Sequence, residues 1–349
     1  MRNVAFHALQ HGKGRKGIVL ILTVVVMTAL LSVAGAFLYM TSVHTRGVGF
    51  NMVSAKAFWI AEAGLQQVIY QLKNDSGYRS NPTTVSANLG GGSYEVTVSK
   101  DASTSTYTLT SIGAVDVLSR KITQRVVEVP DAFNYACYIS PNANLSNTTN
   151  GVINGNFMVD QNVSGEGDWT INGTLTQNGN ITIPTVDFAS YRTIADHVVI
   201  GNFTFQENQT YTGLYYITGV TKIESNVIIN GGLVTEGTVN MRAASEARLN
   251  PISGRPAIIT SGAIDMSSSV NSGVNGKGII YAQQGLNLQQ ASNVAISGTI
   301  IIDQNLNVKN ADKITFTYDP DILVHPPPYF TGSVITLTPQ GWNEIMPDS

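Results

Sequence analysis

From Ile18 to Met40 the chain reads IVLILTVVVMTALLSVAGAFLYM, 23 residues without a charge. About 20 helical residues cross the hydrocarbon core of a bilayer, so this run predicts a single membrane span. Ahead of it stand Arg2, Lys13, Arg15 and Lys16, with no acidic residue among them. The positive-inside bias then places the N-terminus in the cytoplasm, anchors the chain in an inner membrane, and exports everything after Met40 to the periplasm or beyond. An ordinary secretory signal has an apolar stretch of about 7–15 residues and a small-residue cleavage site after it. This run is longer, and Thr41-Ser42 makes no such site. Two readings stay open on the span alone. One is a plain membrane anchor; the other is a span preceded by a basic leader that is cut between Gly17 and Ile18.

The helical pattern continues beyond the span. No proline occurs between Met1 and Asn81, and Phe50, Val53, Ala57, Ile60, Ala61, Gly64, Leu65, Val68 and Leu72 recur at three- and four-residue spacing. That spacing makes one apolar stripe, and Asn74-Asp75-Ser76-Gly77 supplies a stop. A helix from Ile18 to Lys73 would be roughly 84 Å long at 1.5 Å per residue. Its first half is suited to lipid and its second half to packing against an exported head.

The basic-Gly leader, the apolar span and Ala57-Phe58-Trp59-Ile60-Ala61-Glu62-Ala63-Gly64-Leu65 together resemble the N-terminal region of PilX-type minor pilins of type IV pili. The hallmark of that region is an A-F-x-x-A-E-A-G-L stretch after the hydrophobic helix. The resemblance covers roughly residues 14–75 and implies a prepilin cleaved after Gly17 by a prepilin peptidase. It also implies other pilins or minor pilins as partners, and Leu22, Ala61, Glu62, Ala63 and Gly64 as parts of an assembly helix. In one respect the chain departs from pilins, which typically carry Glu at the fifth mature position. Here that position is Leu22, and no acidic residue lies in the span. The departure favours a rare subunit, at a tip or in an initiating complex, over a major one. Glu62 lies about 60 Å further along the helix and does not replace the missing carboxylate. It reads equally as an ordinary solvated residue.

Three alternating stretches follow, at Ser93–Val98, Tyr107–Thr110 and Ile122–Val129, separated by turn-rich segments. They predict a small antiparallel meander covered by the helix stripe, an α+β pilin-like head. From Asn142 the composition turns to Asn, Gly, Thr, Ile and Val, and one phrase recurs, with copies at Gly173, Gly232, Ala257, Gly278 and Thr299. Looser copies begin at Gly155 and Gly213, and the spacing is 18 residues from Gly155 to Gly173, 19 from Gly213 to Gly232, and 21 both from Ile258 to Ile279 and from Ile279 to Ile300. Two short strands and a Gly/Asn corner per copy predict a right-handed parallel β-helix, in which each coil buries its neighbour; an antiparallel β-sandwich is the alternative. In the β-helix reading Ile258, Ile279 and Ile300 form one inward row, and Ile264, Leu286 and Leu306 another. Asp187 caps a short helical insert. The proline-rich end with Trp342 reads as a cap. The organisation is therefore a leader at 1–17, a helix at 18–75, a meander at 76–135, a β-helix at 136–325 with its insert at 186–197, and a C-terminal cap at 326–349.

Little in the sequence points to chemistry. The five histidines are scattered, the single cysteine excludes a Cys-based zinc cage, and no nucleophile elbow or phosphate loop is present. The expectation is a protein that is not an enzyme and needs no cofactor or metal. A net charge of −3 and a pI near 5.9 argue against nucleic acid as a partner. Surface carbohydrate is a further candidate partner. Tyr215, Tyr216 and Tyr281 read either as a sugar-binding strip or as ordinary sheet filling. Two other classes fit the same features. One is an envelope protein with a carbohydrate-binding or carbohydrate-active β-helix; the other is a pseudopilin of a type II secretion apparatus.

Overall fold

The computed structural model describes residues 15–101, 106–179, 182–252, 254–331 and 335–345. Helix α1 (Arg15–Asn74) is unbroken over 60 residues. Its end is closed from outside: Arg79, on the short helix Ser76–Ser80, donates through Nη1 to the carbonyls of Leu72 and Lys73, each at 3.0 Å. That satisfies two acceptors a helix C-terminus leaves unpaired.

Four antiparallel strands follow in meander order, β1 (Val85–Leu89), β2 (Gly92–Asp101), β3 (Thr106–Val115) and β4 (Leu118–Pro130). The sequence pattern finds three of them. Strand β1 escapes it because four of its five residues are exposed and carry no alternation. Ala61, Leu65, Val68 and Leu72 of α1 close the sheet against Val96, Tyr107, Leu109, Ile122 and Val126. The C-terminal segment corrects an expectation. Instead of capping the β-helix, Ile335–Ile345 returns to the head and pairs antiparallel with β4 as a fifth strand. Strand pairing over such a distance has no local sequence signal.

The rest is a parallel β-solenoid of about nine turns. Its coils do not stack in chain order. The chain enters part-way along the stack: Cys137–Ile139 pairs with Ile300–Ile302 on one side and Phe157–Val159 on the other. Two coils are laid outward to Leu175–Thr176. The chain then passes to the opposite end, restarts at His197–Val199, and returns coil by coil to Asp312–Thr317. That last strand pairs with Ser292–Ser297 and with Val152–Asn154. One coil is thus composite, made of residues 312–317 and 137–144.

Ile264, Leu286 and Leu306 stack as expected, and their row continues through Ala143 to Val163. The other row differs by one residue. Ile258 pairs with Ile280, and Ile280 with Ile300, whereas Ile279 sits opposite Thr299. A bulge between Val274 and Gly278 takes up the difference, and a one-residue slip moves a side chain to the other face of the sheet. Ile279 is still buried, because that outer face is covered.

The cover joins the two halves of the molecule. The outward side chains Tyr138, Val234, Ile259, Tyr281 and Ile301 pack beneath Phe133, Tyr191, Ile322 and Phe330, together with Val127 and Val129 of β4. Tyr191 lies on the helix Phe188–Ile194, whose N-cap Asp187 accepts from the Ser190 backbone N–H at 3.1 Å. Tyr191 in turn donates its hydroxyl to the Pro328 carbonyl at 2.6 Å. The insert and the proline-rich segment are therefore flank elements of one shared core.

Candidate assembly and binding surfaces

Three surfaces are candidates for function: the bare part of α1, the stretch from Ala57 to Leu65, and the uncovered faces of the solenoid. The apolar residues of α1 from Val19 to Met40 lie exposed, Leu22 among them. The helix is long and apolar enough to cross a membrane, and its apolar window has no part buried within the chain. Gly17 and Ile18 fall in the first turns of the α1 backbone, while their side-chain surroundings and the leader residues 1–14 lie outside the described residues.

The small residues of the A-F-x-x-A-E-A-G-L stretch bring helix and sheet together. Ala57 and Ala61 are fully buried, and the Ala61 carbonyl accepts from Ser111 Oγ of β3 at 2.7 Å. A Cβ on Gly64 would lie 2.8 Å from the Tyr94 ring, and one on Gly113 of β3 would overlap the Ala57 carbonyl. Glu62 and Ala63 sit half-buried at the rim of this contact, and Glu62 accepts from Gln66 Nε2 at 2.9 Å. Ala61 and Gly64 thus face into the head, whereas Glu62 and Ala63 border its outer side. Sequence reasoning did not find the partners Ser111 and Gly113. A small residue repeated on a strand that faces a helix was the available signal.

On the solenoid the tyrosine strip does not exist. Tyr216 and Tyr281 are buried under the cover, and Tyr215 points into the core and stacks on His197, ring centroids 4.4 Å apart. Their aromatic rings fill sheet interiors, as the second reading had it. Burial and a hydrogen bond to Glu236 push the Tyr216 phenol up.

Among the described residues two faces of the solenoid carry rows of short polar side chains. On one, Asn240, Asp265, Asn287, Asn307 and Asn144 occupy successive rungs. Asn287 donates to Asp265 Oδ1 and Asn307 to Asn287 Oδ1, both at 3.3 Å. Asn240, Asp265, Asn287 and Asn144 each also accept the backbone N–H two residues on, closing their own corners. Beside them lies a shallow groove of about 440 Å³ with Asn142, Asn162, Asn305 and Lys309 on its walls. On the second face Asn172 donates to Asn154 and Asn250 to Asn230, at 2.9 and 3.0 Å. These rows offer amide donors and acceptors. Burial pushes up the carboxyl of Asp303, which lies outside the Asp265 row.

No protein-family model matches the chain, and no curated protein matches its sequence. Among solved structures, the chain is similar to an ice-binding protein from an Antarctic biological consortium. The match is 16% identical, covers 54% of this chain and 88% of that one, and has a TM-score of 0.30. A second likeness is to an ice-binding protein of the Antarctic ascomycete Antarctomyces psychrotrophicus, 18% identical over 53% of this chain and 95% of that one, TM-score 0.27. A third is to the competence-associated pilin ComZ of Thermus thermophilus, 10% identical over 84% of this chain and 98% of that one, TM-score 0.30. These overlaps are loose.

Proposed function

We propose that the chain is a PilX-like minor pilin: a non-enzymatic, single-pass subunit of a type IV pilus system that helps initiate assembly and presents its solenoid for adhesion. One observation carries this reading. Helix α1 is continuous from a bare, apolar first half into a second half fixed to the head by Ala57, Ala61 and Gly64. A helix built that way serves as a membrane anchor before assembly and as a packing element after it. Small residues such as Ala29, Ser32 and Ala36 suit close helix–helix approach. The partners are then other pilins along α1, a prepilin peptidase at Gly17–Ile18 and the inner membrane. Before assembly the N-terminus is cytoplasmic and the head and solenoid are exported. Leu22 offers no charge to a neighbour's terminal amine, which suits a subunit with none beneath it to neutralise.

Processing and phenotype test the reading. N-terminal sequencing of the membrane form should begin at Ile18, and deletion should lower filament number, adhesion or twitching while the major pilin is still made. A mature chain that begins at Met1 beside an active prepilin peptidase, or wild-type piliation, adhesion and motility in the deletion strain, would overturn it.

A further inference from the structure

Eight Asn-x-Ser/Thr triplets with a middle residue other than proline occur in the sequence. In an exported chain such a triplet accepts a glycan on the Asn side chain. The bacterial acceptor is longer, with a carboxylate two residues before the Asn, where it meets a cationic group of the transferring enzyme. Asp160-Gln161-Asn162-Val163-Ser164 alone has that form. The other seven triplets carry Leu, Asn, Thr, Ile or Gln at that place.

Chance produces triplets in a chain so rich in Asn, Ser and Thr, and the surroundings separate a usable one from the rest. Asn74, Asn147 and Asn172 donate through their side-chain amides to Tyr70, Asn310 and Asn154. Asn144, Asn202 and Asn208 accept through theirs from Ser146, Val220 and Asn226. Asn180 lies outside the described residues. The Asn162 side-chain amide has no hydrogen-bond partner among the described residues, although its backbone N–H donates to Asn142 Oδ1 at 3.3 Å. The other amides are committed to the fold, and this one is left to react.

Its position agrees. Gln161, Asn162 and Ser164 are exposed, and Val163 between the last two is buried in the solenoid core. Asn162 and Ser164 therefore stand on one side of the backbone, as alternate residues of a strand do. Both line the groove beside the Asn row. The strand Val163–Ser164 is the last in its sheet, paired with Ala143–Asn144 on one side and with no described strand on the other. An edge strand of two residues opens locally more readily than one paired on both sides.

We infer that Asn162 is an N-glycosylation site, modified by a membrane oligosaccharyltransferase that uses a glycan carried on a polyprenyl diphosphate. The inference rests on the export that the proposed pilin reading requires. In the transfer, Asn162 Nδ2 forms a bond to C1 of the first sugar. The bond from C1 to the diphosphate oxygen breaks, and the polyprenyl diphosphate leaves with the electron pair. One amide proton passes to a base of the enzyme, and the side chain remains an amide. Asp160 and the Ser164 hydroxyl are the groups by which the enzyme recognises the segment. Once attached, the glycan stands beside the open edge of the sheet and keeps another strand from adding there.

Glycopeptide mass spectrometry of the full-length chain from its native membrane tests the site. The peptide containing Asn162 should carry a glycan, and those containing Asn172, Asn202 and Asn208 should not. Asn162→Gln and Ser164→Ala should each abolish the added mass. Asn162→Gln should keep the circular dichroism spectrum of the parent, because the amide it replaces bonds to no described residue. Asp160→Asn should also abolish the added mass; a glycan that persists in this variant would overturn the longer acceptor pattern. Bare Asn162 in a chain that protease digestion of spheroplasts shows to be exported would overturn the site, as would glycans on the other triplets instead. A chain that the protease cannot reach would overturn the export itself and the pilin reading with it, so the two failures are distinguishable.

Discussion

In the head, a sheet is closed by the helix that precedes it in the chain; in the solenoid, each coil is closed by the coil beside it. The two regions bury similar side chains under different tolerances. The α1–sheet contact depends on a few close approaches, at Gly64 and at Gly113, where one added methyl group has no room. The solenoid depends on register repeated rung after rung, where a single misfit is shared by the coils above and below. A head defect should therefore stay local, whereas a defect in an inward row should spread along the stack.

The largest effect expected from this contrast is at Ile280, fully buried between Ile258 and Ile300. Ile280→Asp buries a carboxylate without a partner and should cost about 4 kcal/mol or more. Hydrogen exchange should report lost protection in neighbouring coils as well as its own. An unchanged unfolding midpoint would mean the row is misassigned. Gly113→Ala comes next, at about 2–3 kcal/mol, because the new methyl overlaps the Ala57 carbonyl. Its loss of protection should be confined to β2, β3 and the second half of α1; spread into the solenoid would erase the contrast.

The smallest effect is electrostatic and lies at the far end of the stack. The Leu214 backbone N–H, at 2.7 Å, and the Arg255 guanidinium, at 2.6 Å, hold the Asp196 carboxyl below the usual carboxylate range. A folded pKa below the unfolded value of about 3.9 adds stability above about pH 5 and loses it as pH falls through the folded value. Asp196→Asn should flatten that part of the pH–melting curve between about pH 2 and 5. The pair is solvated, so the change should be about 0.5 kcal/mol or less. A steeper acid transition in the variant than in the parent would contradict it.

Features set by local pattern were legible in the sequence. The uncharged run, the apolar stripe of α1, Asp187 as a helix cap and the Ile264–Leu286–Leu306 row all follow from short-range periodicity or turn chemistry. Asn147, Asn150, Asn208, Asn226 and Asn310 take left-handed corners, as their abundance implied. The register of Ile279 was missed because the bulge before Gly278 changes the repeat from 21 residues to steps of 22 and 20. The tyrosines were ambiguous because an amphipathic ring reads the same inside a sheet and on it. Long-range pairings were invisible: Cys137 with Ile300, and Ile335 with Pro130, leave no trace in either segment alone. Trp59 stands off the apolar stripe, but its exposure needed the sheet to be placed first.

The composite coil imposes an order in time. During synthesis residues 137–176 appear early, yet the strand that Cys137–Ile139 must join, Ile300–Ile302, is made more than 160 residues later. Until then the first two coils have no floor, and their open strand edges are available to any other chain. Non-local closure of this kind is slow. The Cys137 side chain, fully buried in the finished stack, stays within reach of an alkylating reagent until residues 300–317 arrive, so its modification runs as a clock on the last step of folding.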